Sequence, residues 1–246
     1  MRQFITFLKV EGKLGLRCPD GLIFGIGMPV GVLMLISIIG GSQSAGDTNY
    51  TFLQSAFASL LTVGICATAF MGLPLTVAEY RDKKILKHFF VTPVSPMLLL
   101  IVQVCIAMLT AIVSAILVAG IAVLCFDYQM QGNVFYFIGA YVLVMLSMFS
   151  LGMILASLCK TLKIANVVTT FVYFPMLFLS GATIPFELFP KFLQNVANVL
   201  PLTHGIRLLK DISLGVSVEQ AWLSILILVV FIVAGSIISI VSFKWE

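Results

Sequence analysis

Six long stretches without a single charged side chain decide what this chain can become. They run from Gly21 to Gly46, Thr48 to Ala78, His88 to Phe126, Tyr128 to Cys159, Ile164 to Phe186 and Gln220 to Phe243. Each supplies the roughly 20 apolar residues that a helix needs to cross a bilayer. Hydrophobic residues make up 61% of the chain and charged ones 10%, whereas a soluble domain carries about a quarter charged residues. The sequence therefore predicts an all-α integral membrane protein.

Spans are predicted near Leu22–Ile39, Leu53–Thr76, Met97–Cys125, Val134–Leu158, Ile164–Gly181 and Ala221–Ser242. Six spans put both termini on one side. Arg2, Lys9, Lys13, Arg17, Arg81, Lys83, Lys84, Lys87, Lys160, Lys163 and Lys244 then share that side, and only Lys191, Arg207 and Lys210 lie opposite. By the positive-inside rule the termini are cytoplasmic and the protein is a multi-pass component of the cell (plasma or inner) membrane. The net charge of +4 follows from this bias. It needs no nucleic acid to explain it, and anionic inner-leaflet lipid is its ordinary partner.

A single transmembrane domain over residues 1–246 is expected. In residues 1–20, apolar Phe4, Ile5, Phe7, Leu8 and Leu14 alternate with Lys9, Glu11, Lys13 and Arg17, the pattern of a helix lying in the inner interface. The small-residue pairs Gly21/Gly25 and Gly27/Gly31 permit close helix approach, either to another subunit or within the chain. The five cysteines include no closely spaced pair that would bind metal.

Several functions are excluded by what the spans lack. No ionisable residue sits in the middle of a span, although transport on ion gradients ordinarily uses such groups. No G-x-x-x-x-G-K-[ST] loop occurs to cradle nucleotide phosphates. No nucleophile, base and carboxylate come together, and the histidines, His88 and His204, fall on opposite sides. The chain reads as a non-enzyme that binds no cofactor and takes any energy from a second chain.

Between the second and third spans lies the charged elbow 79–95, EYRDKKILKHFFVTPVS. Ile85, Leu86, Phe89 and Phe90 recur at helical spacing with Lys83, Lys84 and Lys87 on other faces, which predicts a short amphipathic helix. Thr92-Pro93 stops it and Ser95-Pro96 opens the next span. Such a helix lies on lipid or enters a partner's groove.

Glu79 and Arg81, followed by Thr92, Pro93, Val94 and Ser95, resemble the coupling segment of type-two ATP-binding-cassette exporter permeases. FPMLFLSGATIPFELFP (Phe174 to Pro190), followed by LPLTH (Leu200 to His204), is similar to that family's fifth-span exit and outer re-entrant hairpin, here at 182–204. The resemblance covers nearly the whole chain. It implies a permease subunit that docks a cytosolic ATPase, on which ATP and magnesium are bound, and that pairs with a second copy or a related permease. The coupling residues are then Glu79, Arg81, Lys84, Leu86, Phe89, Phe90, Thr92 and Pro93. Where family members often carry a Gly-Thr-Leu-Glu-type stretch, this chain has Lys83-Lys84-Ile85-Leu86-Lys87, which implies a more acidic ATPase surface.

The same resemblance turns the second and fifth spans toward the dimer axis. Ser55, Ser59, Thr62 and Cys66 form one stripe there, and Asn166, Thr170 and Tyr173 another. They line the substrate path, or their hydroxyls bond their own helix and neighbouring helices. Ser180, Gly181, Pro185, Glu187 and Pro190 mark where the fifth span ends and the chain folds back. They form an outer gate, or a plain loop. The expected cargo is hydrophobic or amphiphilic: a drug, peptide antibiotic or lipid. A membrane scaffold or sensor that recruits a cytosolic protein through the elbow is the alternative, followed by a passive channel.

Overall fold

The computed structural model describes residues 2–15, 23–40, 52–85, 96–182, 189–216 and 221–242. Apart from short connecting turns these residues are helical, and they contain no strand. Helix α1 is Arg2–Gly15. A π-turn at Ile23–Gly27 leads into α2 (Met28–Gly40). Helix α3 (Phe52–Cys66) passes through a second π-turn, Ala67–Gly72, into α4 (Leu73–Asp82). Then come α5 (Pro96–Phe126), α6 (Val134–Leu158), α7 (Leu162–Leu179), the short α8 (Lys191–Ala197), α9 (Pro201–Ser213) and α10 (Trp222–Ser242).

Five runs among the described residues are long and apolar enough to cross a membrane: Leu53–Asp82, Met97–Phe126, Val134–Leu158, Leu162–Leu179 and Trp222–Ser242. The first predicted span, Leu22–Ile39, is represented by the shorter apolar helix Ile23–Ile38. The second predicted span continues beyond Thr76 to Asp82, so Glu79 and Arg81 belong to the last turn of a long helix.

Each π-turn ends two residues before a proline, Gly27 before Pro29 and Gly72 before Pro74. Proline has no N–H, and its ring collides with the carbonyl four residues back. A locally widened turn absorbs that conflict without breaking the helix. The two turns also meet, since a Cβ on Gly25 would stand 2.9 Å from the Thr68 methyl.

The 53–82 run is the buried pillar of the fold, whereas α5, α7 and α10 leave most of their apolar surface facing outward. Phe57, Leu60, Ile65, Phe70 and Leu73 pack with Val144, Met148 and Phe149 of α6, Tyr173 of α7 and Leu202 and Leu209 of α9. Lipid is as apolar as these side chains, so close packing rather than escape from water holds the helices together. Small residues set the distances. Gly152 of α6 lies against Ala69, Gly205 of α9 against Val144, and Gly235 of α10 against Ser150. The Ser150 hydroxyl also donates to the Phe231 carbonyl at 3.1 Å.

The hydrophilic ends explain the helix boundaries. Asn133 caps α6, accepting from the Phe135 N–H at 2.9 Å, and Thr161 caps α7, accepting from Ile164 at 3.3 Å. Helix α9 runs antiparallel to the first half of α6, with Ile212 beside Gly132 and Gly205 beside Val144. Its charged Arg207, Lys210 and Asp211 suggest a wet outer segment in the sequence. Yet Leu202, His204, Ile206, Leu208, Leu209 and Ile212 are all buried, and the helix continues to Ser213, past the expected hairpin end at His204.

Candidate functional site

The last turn of α4 gathers the polar chemistry at the end of the molecule that carries Lys83, Lys84, Lys160 and Lys163. Its residues point in three directions. Glu79 faces out and pairs with Lys83 at 2.6 Å, an exposed i,i+4 ion pair of the kind that contributes only a few tenths of a kcal/mol, about 0.3–0.5. The helix then stops, with Lys83 N–H donating to Glu79 O and Lys84 N–H to Arg81 O, both at 2.9 Å. Lys84 sits at φ 56, a left-handed turn that a lysine adopts at some cost.

Tyr80 leads inward. Its hydroxyl donates to a carboxylate oxygen of Glu11 on α1. Gln103 of α5 donates to the same oxygen at 2.8 Å and to the Tyr80 hydroxyl at 3.1 Å. The three side chains tie α1, α4 and α5 together. Gln103 is the sequence signal that could have found them, because a lone amide in an apolar span needs a partner.

Arg81 leads sideways and is buried. Its Nη1 donates to the Cys159 carbonyl at 2.7 Å and the Ala156 carbonyl at 2.8 Å, with Ser157 O at 3.4 Å. These carbonyls belong to the end of α6, where they lack partners within the helix and where the helix dipole favours a cation. Burial pushes the Cys159 thiol up, and the adjacent guanidinium pulls against that shift. Leu86, Phe89, Phe90, Thr92 and Pro93 lie outside the described residues.

The expected path residues are divided between inside and outside. On α3, Ser59, Thr62 and Cys66 are buried by the chain itself and Ser55 is half-buried. The Thr62 hydroxyl donates to Ser59 O at 2.7 Å. On α7, Tyr173 is buried, its hydroxyl 3.8 Å from the Met28 sulfur, whereas Thr170 is half-buried and Asn166 exposed. Within one chain the two stripes do not share an open surface.

Of the expected outer gate, Ser180 is buried and donates to Leu177 O at 3.2 Å. Gly181 ends α7 at φ 88, a conformation that glycine accepts without penalty. Pro190 is exposed and precedes α8. Pro185 and Glu187 lie outside the described residues. At the same end of the molecule, Tyr128 stacks on Phe57 with ring centroids 4.1 Å apart. Burial pushes its phenol up to about 12, against a hydrogen bond with the Ser213 side chain. His204, which closes the LPLTH motif, has its ring 2.9 Å from Asn198 O and 3.5 Å from the Ser224 hydroxyl.

An apolar scaffold of long helices, with its Glu79–Lys83 ion pair and its Glu11–Tyr80–Gln103 network near helix ends, defines a polytopic membrane protein. The family model described as ABC-2 family transporter protein matches residues 37–241, and the chain belongs to that family. It is 27% identical over 180 residues to the probable multidrug ABC transporter permease YbhR of Escherichia coli (strain K12), covering 73% of this chain and 48% of the relative. The chain thus spans about half the length of that protein. It is also 28% identical over 242 residues to nodulation protein J of Neorhizobium galegae, covering 97% of this chain and 88% of the relative. The match to nodulation protein J of Rhizobium meliloti (strain 1021) is 26% over 216 residues, or 87% and 79% of the two chains.

Proposed function

We propose that the chain is the membrane-spanning permease subunit of an ATP-driven exporter, with ATP and magnesium bound on a separate cytosolic ATPase. The observation that carries this reading is the family match over residues 37–241. The basic end is cytoplasmic, both termini lie there, and α1 rests at the inner interface. Lys83, Lys84, Lys160 and Lys163, exposed or at the chain's turns, support that orientation. At the elbow, Glu79, Lys84, Leu86, Phe89, Phe90, Thr92 and Pro93 meet the ATPase, and Arg81 acts in coupling from behind them.

Two permeases, identical or related, pair across a path that α3 and α7 enclose. Asn166 and Thr170 lie on the open side of α7. Ser55, Ser59, Thr62 and Tyr173 reach the path only when helices separate during the cycle. Ser180, Gly181, Pro185, Glu187 and Pro190 shape its outer gate, and α8 with α9 forms the inward-folded hairpin behind them. The apolar outward faces and the lack of charge in the middle of the spans support a hydrophobic or amphiphilic cargo, and the word multidrug in the name of one relative agrees with that class.

The test is purification from native membranes in mild detergent. A stoichiometric ATPase is expected with the wild-type chain and is lost when Ile85 to Phe90 are replaced by a Gly/Ser linker, with Tyr80 and Arg81 left in place. Purification of the intact chain without any ATPase would overturn the reading in favour of a scaffold or a passive channel.

A further inference from the structure

Tyr80 and Arg81 are neighbours in sequence, yet they fasten the end of α4 to different parts of the fold. Tyr80 reaches α1 and α5 through Glu11 and Gln103. Arg81 reaches the end of α6. We propose that Arg81 is a positioning residue that links the elbow to the α6–α7 turn, passing the elbow's movement to α7 without itself touching the ATPase. This rests on the permease reading above.

Three observations carry it. First, Arg81 is buried and its Nη1 is directed at backbone carbonyls of its own chain, while Glu79, Lys83 and Lys84 on the same turn face outward. A docking surface is made by the second group.

Second, the apolar contact at this corner is small. It consists of buried Ala78, Cys159 and Ala165, flanked by Leu75 and Val168. Short side chains interlock little at this point beside Arg81, and its charge-assisted bonds are the strongest directional link there.

Third, only Cys159, Lys160 and Thr161 separate α6 from α7. Thr161 is already committed as the α7 cap. A pull on the Ala156 and Cys159 carbonyls therefore moves the start of the helix that carries Asn166, Thr170 and Tyr173. Because backbone carbonyls are the acceptors, the link is independent of which side chains occupy the turn.

The experiment is hydrogen exchange on the purified permease–ATPase complex, with and without a non-hydrolysable ATP analogue. In the wild type, the analogue is expected to change exchange both in the elbow, 82–90, and in the turn, 159–168. Arg81→Met should keep the ATPase at wild-type stoichiometry and keep the elbow response. The response at 159–168 should fall by about tenfold, the scale on which one charge-assisted hydrogen bond acts. Arg81→Lys, which keeps a cationic donor, should restore part of it. A merely structural role would loosen 159–168 equally with and without nucleotide and would leave the nucleotide-dependent difference in place, which overturns the proposal. Loss of the ATPase from Arg81→Met overturns it too, because Arg81 would then be a docking contact. Should Arg81→Met fail to fold, Arg81→Lys and Arg81→Gln decide: a graded loss at 159–168 with the ATPase retained supports the link, and an ungraded response overturns it. A wild-type complex without an ATPase is a different failure, that of the permease reading itself.

Discussion

Gly132 lies so close to Ile212 that a Cβ on the glycine would overlap the Ile212 carbonyl oxygen. The loop between α5 and α6 is thereby pressed against the last turn of α9, and the N–H groups of Gln131 and Gly132 donate to Ser213 O at 3.1 and 3.2 Å. The obstructing atom is backbone and cannot rotate away. Gly132→Ala should therefore separate loop from helix and lower stability by about 1–3 kcal/mol, the usual cost of overpacking. Thermal unfolding in detergent checks this, with Gly139→Ala as control, since nothing lies within 4 Å of a Cβ at Gly139.

A second close approach occurs where α6 crosses the pillar. A Cβ on Gly152 would overlap the carbonyl oxygen of Ala69, inside the π-turn. That turn accommodates Pro74, so its backbone has little freedom to yield. Gly152→Ala is expected to cost about 1–3 kcal/mol and to raise hydrogen exchange in 67–72 before it does so elsewhere. Unchanged exchange in that segment would mean that α6 shifts as a rigid body instead.

The Tyr80–Glu11 bond gives a third expectation. Removing the hydroxyl in Tyr80→Phe leaves Glu11 with Gln103 as its remaining partner in the triad. The site is half-buried, so the loss should lie near the lower end of the about 1.5–3 kcal/mol range for bonds to charged groups. It should appear as faster exchange and easier proteolysis of α1, with the five long apolar helices unaffected. Equal protection of α1 in both proteins would show that its packing on α5 is sufficient without the bond.

These outcomes depend on features that differ in how plainly the sequence announces them. The long helices follow from charge-free runs, which bilayer length turns directly into spans, and Pro96 at the start of α5 was readable as a helix opener. Glu79 and Arg81 were recognisable as a motif, but the acceptors of Arg81 are main-chain carbonyls 75 to 78 residues away, and a carbonyl has no sequence signature. The π-turns escaped a reading based on 3.6-residue periodicity, although Pro29 and Pro74 marked their places. Helix α9 was obscured because charge usually means water, whereas Arg207 donates to the Asn198 side chain at 2.7 Å while the apolar residues around it fill the core. The hydroxyl stripe on α3 was ambiguous for a physical reason: a threonine bonded to its own helix, as Thr62 is to Ser59 O, has the same spacing as one lining a path.

Asp211 gives the last prediction, through its proton. Burial raises its carboxyl above the ordinary 3.8, and Lys210 and then Arg207 pull it back only in part. Below the ordinary carboxylate range the group is protonated whether the chain is folded or not, so its contribution to stability is fully present. As pH rises through the raised folded value, the folded protein must hold a half-buried anion that the unfolded chain solvates freely, and that contribution is lost. The α9 end of the molecule should therefore become less stable from acid toward neutral pH. Asp211→Asn, neutral at every pH and nearly the same shape, should flatten that decline and gain its advantage only above the ordinary carboxylate value. Thermal unfolding of both proteins across that range measures it; parallel profiles would assign the pH dependence to another group.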